Sequence, residues 1–284
     1  MRMSTIDASA DIPALNQTER RRDRRDRLLT IAAPLLVLVV ALTVWELFVR
    51  INKVPSYILP GPLLVAQTLW TSWPSLSMSL LFTVKLTLSA LGLAIIGGVG
   101  LGTLFALSRY VEVSLFPYAV ILQVTPIIAI APLILIYVDS TMGALLICAW
   151  IVAFFPILSS TVIGLRSADH NLRDLFTLYE AGPWQRFGYL LMPSALPYFM
   201  SGLKVSGGLA LIGAVVAEFV AGAAGKETGL ASRIFEASFR SDIPLMFAAL
   251  LLVSLCGVVI FLVTSWVSHQ VLGRWHESEL KRER

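Results

Sequence analysis

Two groups of residues in this 284-residue chain carry side chains that could do chemistry. One is a lone carboxylate, Glu218, inside an apolar run. The other is the polar stretch 169–193, DHNLRDLFTLYEAGPWQRFGYLLMP, between two apolar segments long enough to cross a bilayer. Because a charge at membrane depth faces protein or water, Glu218 either lines the outer mouth of a solute path or forms a hydrogen-bonded brace between helices, and we favour the brace. The polar stretch predicts a structured knob outside the bilayer, where a partner protein could bind.

Sequence patterns for catalysis and for metal binding are missing. The nearest approach to the phosphate-binding pattern GxxxxGK[ST] is AGAAGKE at 221–227, which lacks the first glycine and the final hydroxyl residue. Neither HExxH nor GxSxG occurs. Cys148 and Cys256 stand in apolar runs without the spacing of a metal site or a disulfide framework. We therefore predict that the chain is not an enzyme and that it binds no metal or cofactor of its own.

The composition indicates a protein that lives in a membrane. Hydrophobic residues make up 57% of the chain and charged residues 14%, and the mean hydropathy is +0.79, which exceeds what one soluble core needs. The net charge of +4 does not indicate nucleic acid, because seven of the 22 basic residues lie in the first 27 positions, directly before an apolar run. That placement favours contact with anionic lipid headgroups.

The elements that must position these residues are membrane spans of about 20 apolar residues each. Six segments qualify: 28–49, 80–108, 114–137, 141–165, 195–222 and 243–268. Six crossings put both termini on one side. Of the lysines and arginines outside the spans, fifteen fall on that side and five on the other, which predicts cytoplasmic termini and a cytoplasmic 169–193 stretch. We thus expect an all-α integral membrane protein with a basic tail at 1–27, a six-helix domain at 28–270 and a second cytoplasmic tail at 271–284.

Prolines and small residues within the spans suggest how the helices bend and pack. Pro126, Pro132 and Pro156 should kink the third and fourth spans, as suits helices around a solute path. Small residues spaced four apart let helices approach closely, either at a sliding or dimer interface or in static packing within one subunit. The positions concerned are Gly98 and Gly102 in the second span and Gly202, Ser206, Ala210 and Ala214 in the fifth. Candidate solute contacts are Gln123, Thr125, Trp150 and Phe154, although aromatic residues in spans usually only pack.

The 169–193 stretch has internal order. Asp169 is placed to cap a helix with an apolar face, and Gly182 and Pro183 should end that helix and start a second short one carrying Trp184. The apolar face consists of Leu172, Leu175, Phe176 and Tyr179. From these residues alone, a docking helix and a connector lying on the membrane surface remain equally acceptable.

The stretch resembles the cytoplasmic signature of ABC importer permeases, in which an EAA triplet, a glycine three residues beyond it and a terminal Leu-Pro define the helix that sits in a groove of the ATPase. Counting back from Pro193 puts the triplet at 174–176, Glu180 where the glycine usually stands, and Met192 in place of the leucine. The visible Glu-Ala-Gly at 180–182 is therefore six residues out of register. The resemblance implies these ATPase-coupling residues: Arg173, Asp174, Leu175, Phe176, Tyr179, Glu180, Ala181, Gly182, Trp184 and Arg186.

Further stretches extend the resemblance over about residues 35–270. They are Trp45-Glu46-Leu47, Leu59-Pro60-Gly61-Pro62, Ala129-Ile130-Ala131-Pro132-Leu133, Pro193-Ser194-Ala195-Leu196-Pro197, Ala217-Glu218 and Gly229-Leu230. Together they are similar to the nitrate, sulfonate and taurine group of permeases, which includes carriers of thiamin-precursor pyrimidines and of riboflavin. The resemblance implies a type I importer in a bacterial inner membrane. It would contain two copies of the permease, two cytoplasmic ATPases that hold ATP and Mg, and an external binding protein.

Two other classes of protein stay open at this point. A secondary transporter or channel would work without an ATPase, but the docking stretch and the lack of repeated halves argue against it. A membrane scaffold that transports nothing would also carry a cytoplasmic knob, but kinked spans and buried charges would then have little purpose.

Overall fold

The computed structural model describes residues 12–225 and 229–273, with side chains from residue 32 onward. Of the tails predicted at 1–27 and 271–284, residues 1–11 and 274–284 lie outside the described residues, as does Lys226 of the phosphate-loop lookalike, whereas residues 12–27 are helical. Every regular element in the described ranges is helical. The chain divides into one unit up to residue 64 and a second from residue 65 onward.

The first unit contains helix α1, Ile12–Ile51, whose candidate span is Ala32–Ile51. Near the end of this helix, the Glu46 carboxylate pairs with Arg50 and accepts a hydrogen bond of 3.2 Å from the backbone N–H of Leu63. A Cβ atom at Gly61 would lie 2.6 Å from Glu46 Oε2, so only glycine leaves room for this turn. Two of the stretches that carried the family resemblance thus meet at one contact.

The second unit begins with the rest of the short helix α2, Pro62–Thr71, and continues with long helices of the bundle. These are α3, Trp73–Leu107; α4, Arg109–Val124; α5, Ile127–Tyr137; and α6, Thr141–Arg166. The 169–193 stretch forms α7, His170–Leu178, and α8, Pro183–Arg186, and leads through a π-helical turn at Phe187–Leu191 into α9, Met192–Ala223. Helices α10, Leu230–Phe239, and α11, Ile243–Leu272, complete the unit.

Polar residues set several of these helix ends. Ser140 accepts a hydrogen bond from the Gly143 N–H at the start of α6, and Asp242 accepts one from the Leu245 N–H at the start of α11. Each side chain satisfies a backbone donor that has no partner within its own helix. Helix α6 runs through Pro156 without a break, so the kink expected there does not interrupt the fourth span.

The third predicted span, 114–137, is not one kinked helix. It is broken between Val124 and Ile127 into α4 and α5, whose axes differ by 101°. Pro126 cannot donate a backbone hydrogen bond, and the residue before a proline avoids the helical region; Thr125 is extended, with φ −71° and ψ 123°. The expected bend is real, but it is a complete break rather than a kink.

The broken pair still counts as one crossing. The guanidinium of Arg166, the last residue of α6, bonds Glu112 in the first turn of α4, so these two ends lie on the same side. Helix α6 has 26 residues and is therefore about 39 Å long. Its other end follows α5, so the chain must cross the bilayer between α4 and α6. Five continuous helices and this pair make the six spans that the sequence predicted.

Helix α6 is the centre of the second unit, with α3 on one side and α9 on the other. A Cβ atom at Gly98 or Gly102 of α3 would come within 3.0 Å of Ile157 or Thr161 of α6. On the opposite side, Gly202 lies against Ser160, and the Ser206 hydroxyl donates to the Ala153 carbonyl at 2.8 Å. Ala210 and Ala214 continue the same buried stripe. The small-residue series therefore pack helices within one subunit, the second of the two interpretations offered above.

Two glycines of α3 provide a matched test of this packing. Gly98→Ala should destabilise the protein by about 1–3 kcal/mol, because the new methyl group overlaps Ile157. Gly100→Ala, on the same helix, places its methyl group in open space, and it should leave stability unchanged or raise it, since alanine favours a helix. Thermal unfolding in detergent measures both. Equal melting temperatures for the two variants would contradict the close α3–α6 contact.

Candidate functional site

The 169–193 stretch folds into two short helices, as the sequence predicted, although the first ends at Leu178 rather than at Gly182. Asp169 Oδ1 accepts hydrogen bonds from the N–H groups of Asn171 and Leu172, at 2.8 and 3.3 Å, and so caps α7. Pro183 is the first residue of α8. At the turn between the helices, Gln185 Oε1 accepts from the Gly182 N–H at 2.8 Å, and Arg186 Nε donates to the Ala181 carbonyl at 3.0 Å. These bonds define the conformation of the stretch without help from a partner.

The exposed surface of this stretch is apolar and aromatic. Tyr179 is 77% exposed and Trp184 is 85% exposed, whereas Phe176 is half-buried. A cleft with a volume of about 340 Å³ opens beside them. Its lining consists of Leu175, Phe176, Tyr179, Ala181, Gln185 and Tyr189. Exposed apolar clusters of this kind mark surfaces for protein or membrane contact.

Glu180 occupies a conformation that glycine usually takes. Its φ is +49°, in the left-handed region that costs about 1–2 kcal/mol for a residue with a Cβ atom. The Ala181 N–H bonds the Phe176 carbonyl at 2.9 Å and the Glu180 N–H bonds the Thr177 carbonyl at 3.0 Å, which is the Schellman pattern at a helix end. The family's glycine position, assigned by counting from Pro193, is therefore the left-handed end of α7, and this chain tolerates the strain there.

Arg173 ties α7 to the end of α6. Its Nη2 atom donates to the carbonyl oxygen of Arg166 at 2.9 Å and, more weakly, to that of Leu165 at 3.4 Å. These carbonyls have no partner within α6, so the guanidinium caps the helix and complements its negative end. Asp174, the first residue of the triplet position, is exposed and lies 3.6 Å from the His170 side chain.

A second cluster joins three helix ends next to this contact. The Arg166 guanidinium binds both carboxylate oxygens of Glu112, at 3.0 and 2.8 Å, and the Phe105 carbonyl at 3.2 Å. Arg109 adds a bond of 2.9 Å to the same carboxylate. The ends of α3, α4 and α6 are thereby held together. Sequence reasoning missed Glu112; its spacing of three from Arg109 was visible, but Arg166 lies 54 positions away.

Glu218 forms a brace between α9, α3 and α10. Its Oε2 atom accepts hydrogen bonds of 3.1 Å from the Thr83 hydroxyl and from the Ala231 N–H. The Thr83 oxygen in turn accepts from the Leu230 N–H at 3.0 Å. The side chain is fully buried, and a Cβ atom at Gly229 would collide with it. Glu218 and Thr83 thus satisfy the Ala231 and Leu230 N–H groups at the start of α10, which is the role we favoured over the outer mouth of a path.

The other candidate path residues separate into two pairs. Trp150 and Phe154 lie together on α6, with ring centroids 5.0 Å apart, and both face Gly97 of α3, so Phe154 is buried in the bundle. Gln123 is exposed near the end of α4, and Thr125 is half-buried at the break that follows. Of these four, Phe154 is buried, Trp150 and Thr125 are half-buried, and Gln123 is exposed.

Comparison with known proteins places most of this unit in one family. Residues 94–273 match the family described as binding-protein-dependent transport system inner membrane component. The riboflavin transport system permease of Chloroflexus aurantiacus is 33% identical over 245 residues, covering 86% of this chain and 90% of that protein. The formylaminopyrimidine transport permease of Halalkalibacterium halodurans is 33% identical over 234 residues, covering 80% and 90%.

A solved structure shares the fold. A chain of the MetNI methionine ABC transporter, in an inward-facing conformation, aligns with a TM-score of 0.60 at 16% identity, over 69% of this chain and 95% of its own. The expected type I fold and family are thereby confirmed.

The brace around Glu218 yields a graded prediction. Glu218→Gln retains an acceptor for Thr83 and Ala231 and should keep most of the stability, whereas Glu218→Leu should lose about 1–3 kcal/mol for each donor left unpaired. Thermal unfolding in detergent, together with uptake by the assembled transporter, measures both variants. Thr83→Val is the matched partner variant. Its loss of unfolding free energy should not add fully to the loss in Glu218→Leu, because the two residues share one network. Equal losses in the glutamine and leucine variants would indicate a role for the charge instead.

Proposed function

The chain belongs to the binding-protein-dependent transport system inner membrane components and is a permease subunit of an ABC importer; from this premise we propose that its 169–193 stretch docks a cytoplasmic ATPase. The observation that carries the proposal is the exposed aromatic surface of α7 and α8, which its own bundle leaves uncovered. The docked ATPase would hold the ATP and Mg, and this chain would contribute no catalytic group. Family membership favours this function over a channel, a secondary transporter or a scaffold.

The contacts behind α7 support a route for transmitting ATPase movement. Arg173 joins α7 to the end of α6, and the Arg166–Glu112 pair joins that end to α3 and α4. On its other side, the docking stretch continues through the π-helical turn into α9. A displacement of α7 and α8 would therefore move α6 and α9, which pack against each other in the bundle, rather than a loose loop.

The proposal includes orientation and assembly. Six crossings and the excess of basic residues on one side support cytoplasmic termini, with α7 on the same side. A second copy of this chain would complete the path through the membrane, and an external binding protein would deliver the solute. One complex would then contain two permeases and two ATPases.

Removing the exposed aromatic side chains tests the docking. Tyr179→Ala and Trp184→Ala should each weaken ATPase binding by about 2 kcal/mol, since aromatic residues in the centre of an interface carry much of its binding energy. Tyr110→Ala is the matched control, because Tyr110 is 88% exposed but lies on α4, outside the docking stretch. Co-purification with the ATPase, followed by native mass measurement, reports affinity and stoichiometry. Retained binding by both docking variants, or equal loss in the control, would refute this surface.

For the solute, we propose a small heterocycle of the flavin or pyrimidine type rather than a nitrate- or sulfonate-like anion. The two relatives at 33% identity, which are named for riboflavin and formylaminopyrimidine transport, support this choice. Uptake into proteoliposomes containing the permease, its ATPase and its binding protein should be competed by riboflavin or a formylaminopyrimidine. Competition by nitrate or an alkanesulfonate alone would reverse the assignment.

A further inference from the structure

The break between α4 and α5 exposes polar backbone at membrane depth. Helix α4 begins at the cytoplasmic end, beside Arg166, and its 16 residues rise about 24 Å. The hydrocarbon core of a bilayer is about 30 Å thick, so the end of α4 lies inside it. Apolar helix continues on both sides of the break, because α5 is IIAIAPLILIY.

Several backbone groups at the break have no hydrogen-bond partner within the described part of the chain. The Thr125 N–H bonds the Ile121 carbonyl at 3.1 Å, and the Ala129 N–H bonds the Pro126 carbonyl at 2.9 Å. Between these two bonds the helical ladder is interrupted. The groups left over include the carbonyl oxygens of Leu122, Gln123, Val124 and Thr125 and the N–H groups of Ile127 and Ile128.

Lipid cannot cover these groups. Each unsatisfied N–H or C=O in hydrocarbon costs several kcal/mol, and non-helical backbone at membrane depth occurs only where protein buries it or water reaches it. This chain does not bury the break, since Val124 is 69% exposed and Gln123 is also exposed. The surroundings of the break in the assembled transporter must therefore be polar.

Water satisfies this requirement better than a second copy of the chain. A symmetric interface would oppose the break with the same surface, whose exposed neighbours Ile121 and Ile128 are aliphatic and donate nothing to the free carbonyls. Gln123 adds an amide that both donates and accepts, and Thr125 adds a hydroxyl. Water molecules or a passing solute can pair with all of these groups at once.

We propose that the α4–α5 break lines the water-filled solute path, with Gln123 and the free carbonyls of residues 122–124 facing the solute. The inference rests on the proposed importer function and adds which groups of the chain would contact the solute. Carbonyl oxygens accept hydrogen bonds, so the site suits a neutral polar solute that carries N–H or O–H donors. Phe154 takes no part, because it is buried against α3.

Accessibility of introduced thiols to a charged reagent tests the proposal. Gln123→Cys and Val124→Cys are compared with Ile96→Cys, a control on α3 whose native side chain is 72% exposed. The native Cys148 and Cys256 are buried and set the background. A charged methanethiosulfonate should label the two break variants at least about tenfold faster than the control, because the reactive thiolate forms in water and not in hydrocarbon.

Two results would overturn the inference. One is labelling of both break variants by the charged reagent no faster than labelling of the Ile96→Cys control. The other is a disulfide between the Gln123→Cys residues of two copies without labelling by the charged reagent, which would mean that the second copy covers the break.

ATP-driven uptake by the same unlabelled variants is measured in parallel. Uptake without charged labelling would reject this site and leave the importer function standing, whereas wild-type protein that neither binds an ATPase nor supports uptake would reject that function itself.

Discussion

The structure depends on one constraint, which is that hydrocarbon offers no partner to a polar group. Helices satisfy their own backbone, so among the described residues every segment of the candidate spans is helical except at the α4–α5 break. The same constraint explains why Glu218 is buried only together with Thr83 and the first N–H groups of α10. It also explains the small residues of α3 and α9, since packing without a hydrophobic driving force requires close approach.

Helix α6 connects these packing contacts to the 169–193 stretch. Its flanks receive Gly98 and Gly102 from α3 and Gly202 and Ser206 from α9, and its last carbonyls receive Arg173. A rigid centre of this kind can pass a displacement of α7 to both neighbouring helices. The strained backbone at Glu180 lies at the opposite end of α7 from Arg173, so α7 is held at one end by hydrogen bonds from Arg173 to the last carbonyls of α6 and at the other by a left-handed turn.

Local patterns were enough to predict much of this architecture. The Asp169 cap and the helix start at Pro183 follow from neighbours a few residues away in the chain, whereas the left-handed conformation of Glu180 appeared only in the structure. The break at Pro126 was underestimated as a kink, because a proline removes one donor in either case and the sequence does not say whether the neighbouring helices support a straight path. Glu112 was missed because its partner, Arg166, is distant in the sequence.

The sequence by itself determined that the chain spans a membrane six times, that α7 and α8 leave the bilayer, and which family the chain belongs to. These conclusions rest on hydropathy, caps and motif spacing, all of which are local. Only the tertiary structure decided that Glu218 is a brace, that the small residues pack within one subunit, and that Phe154 is buried while Gln123 stays exposed. Those outcomes depend on which faces of distant helices meet, and pairing between residues 50 to 150 positions apart leaves no mark on a single sequence.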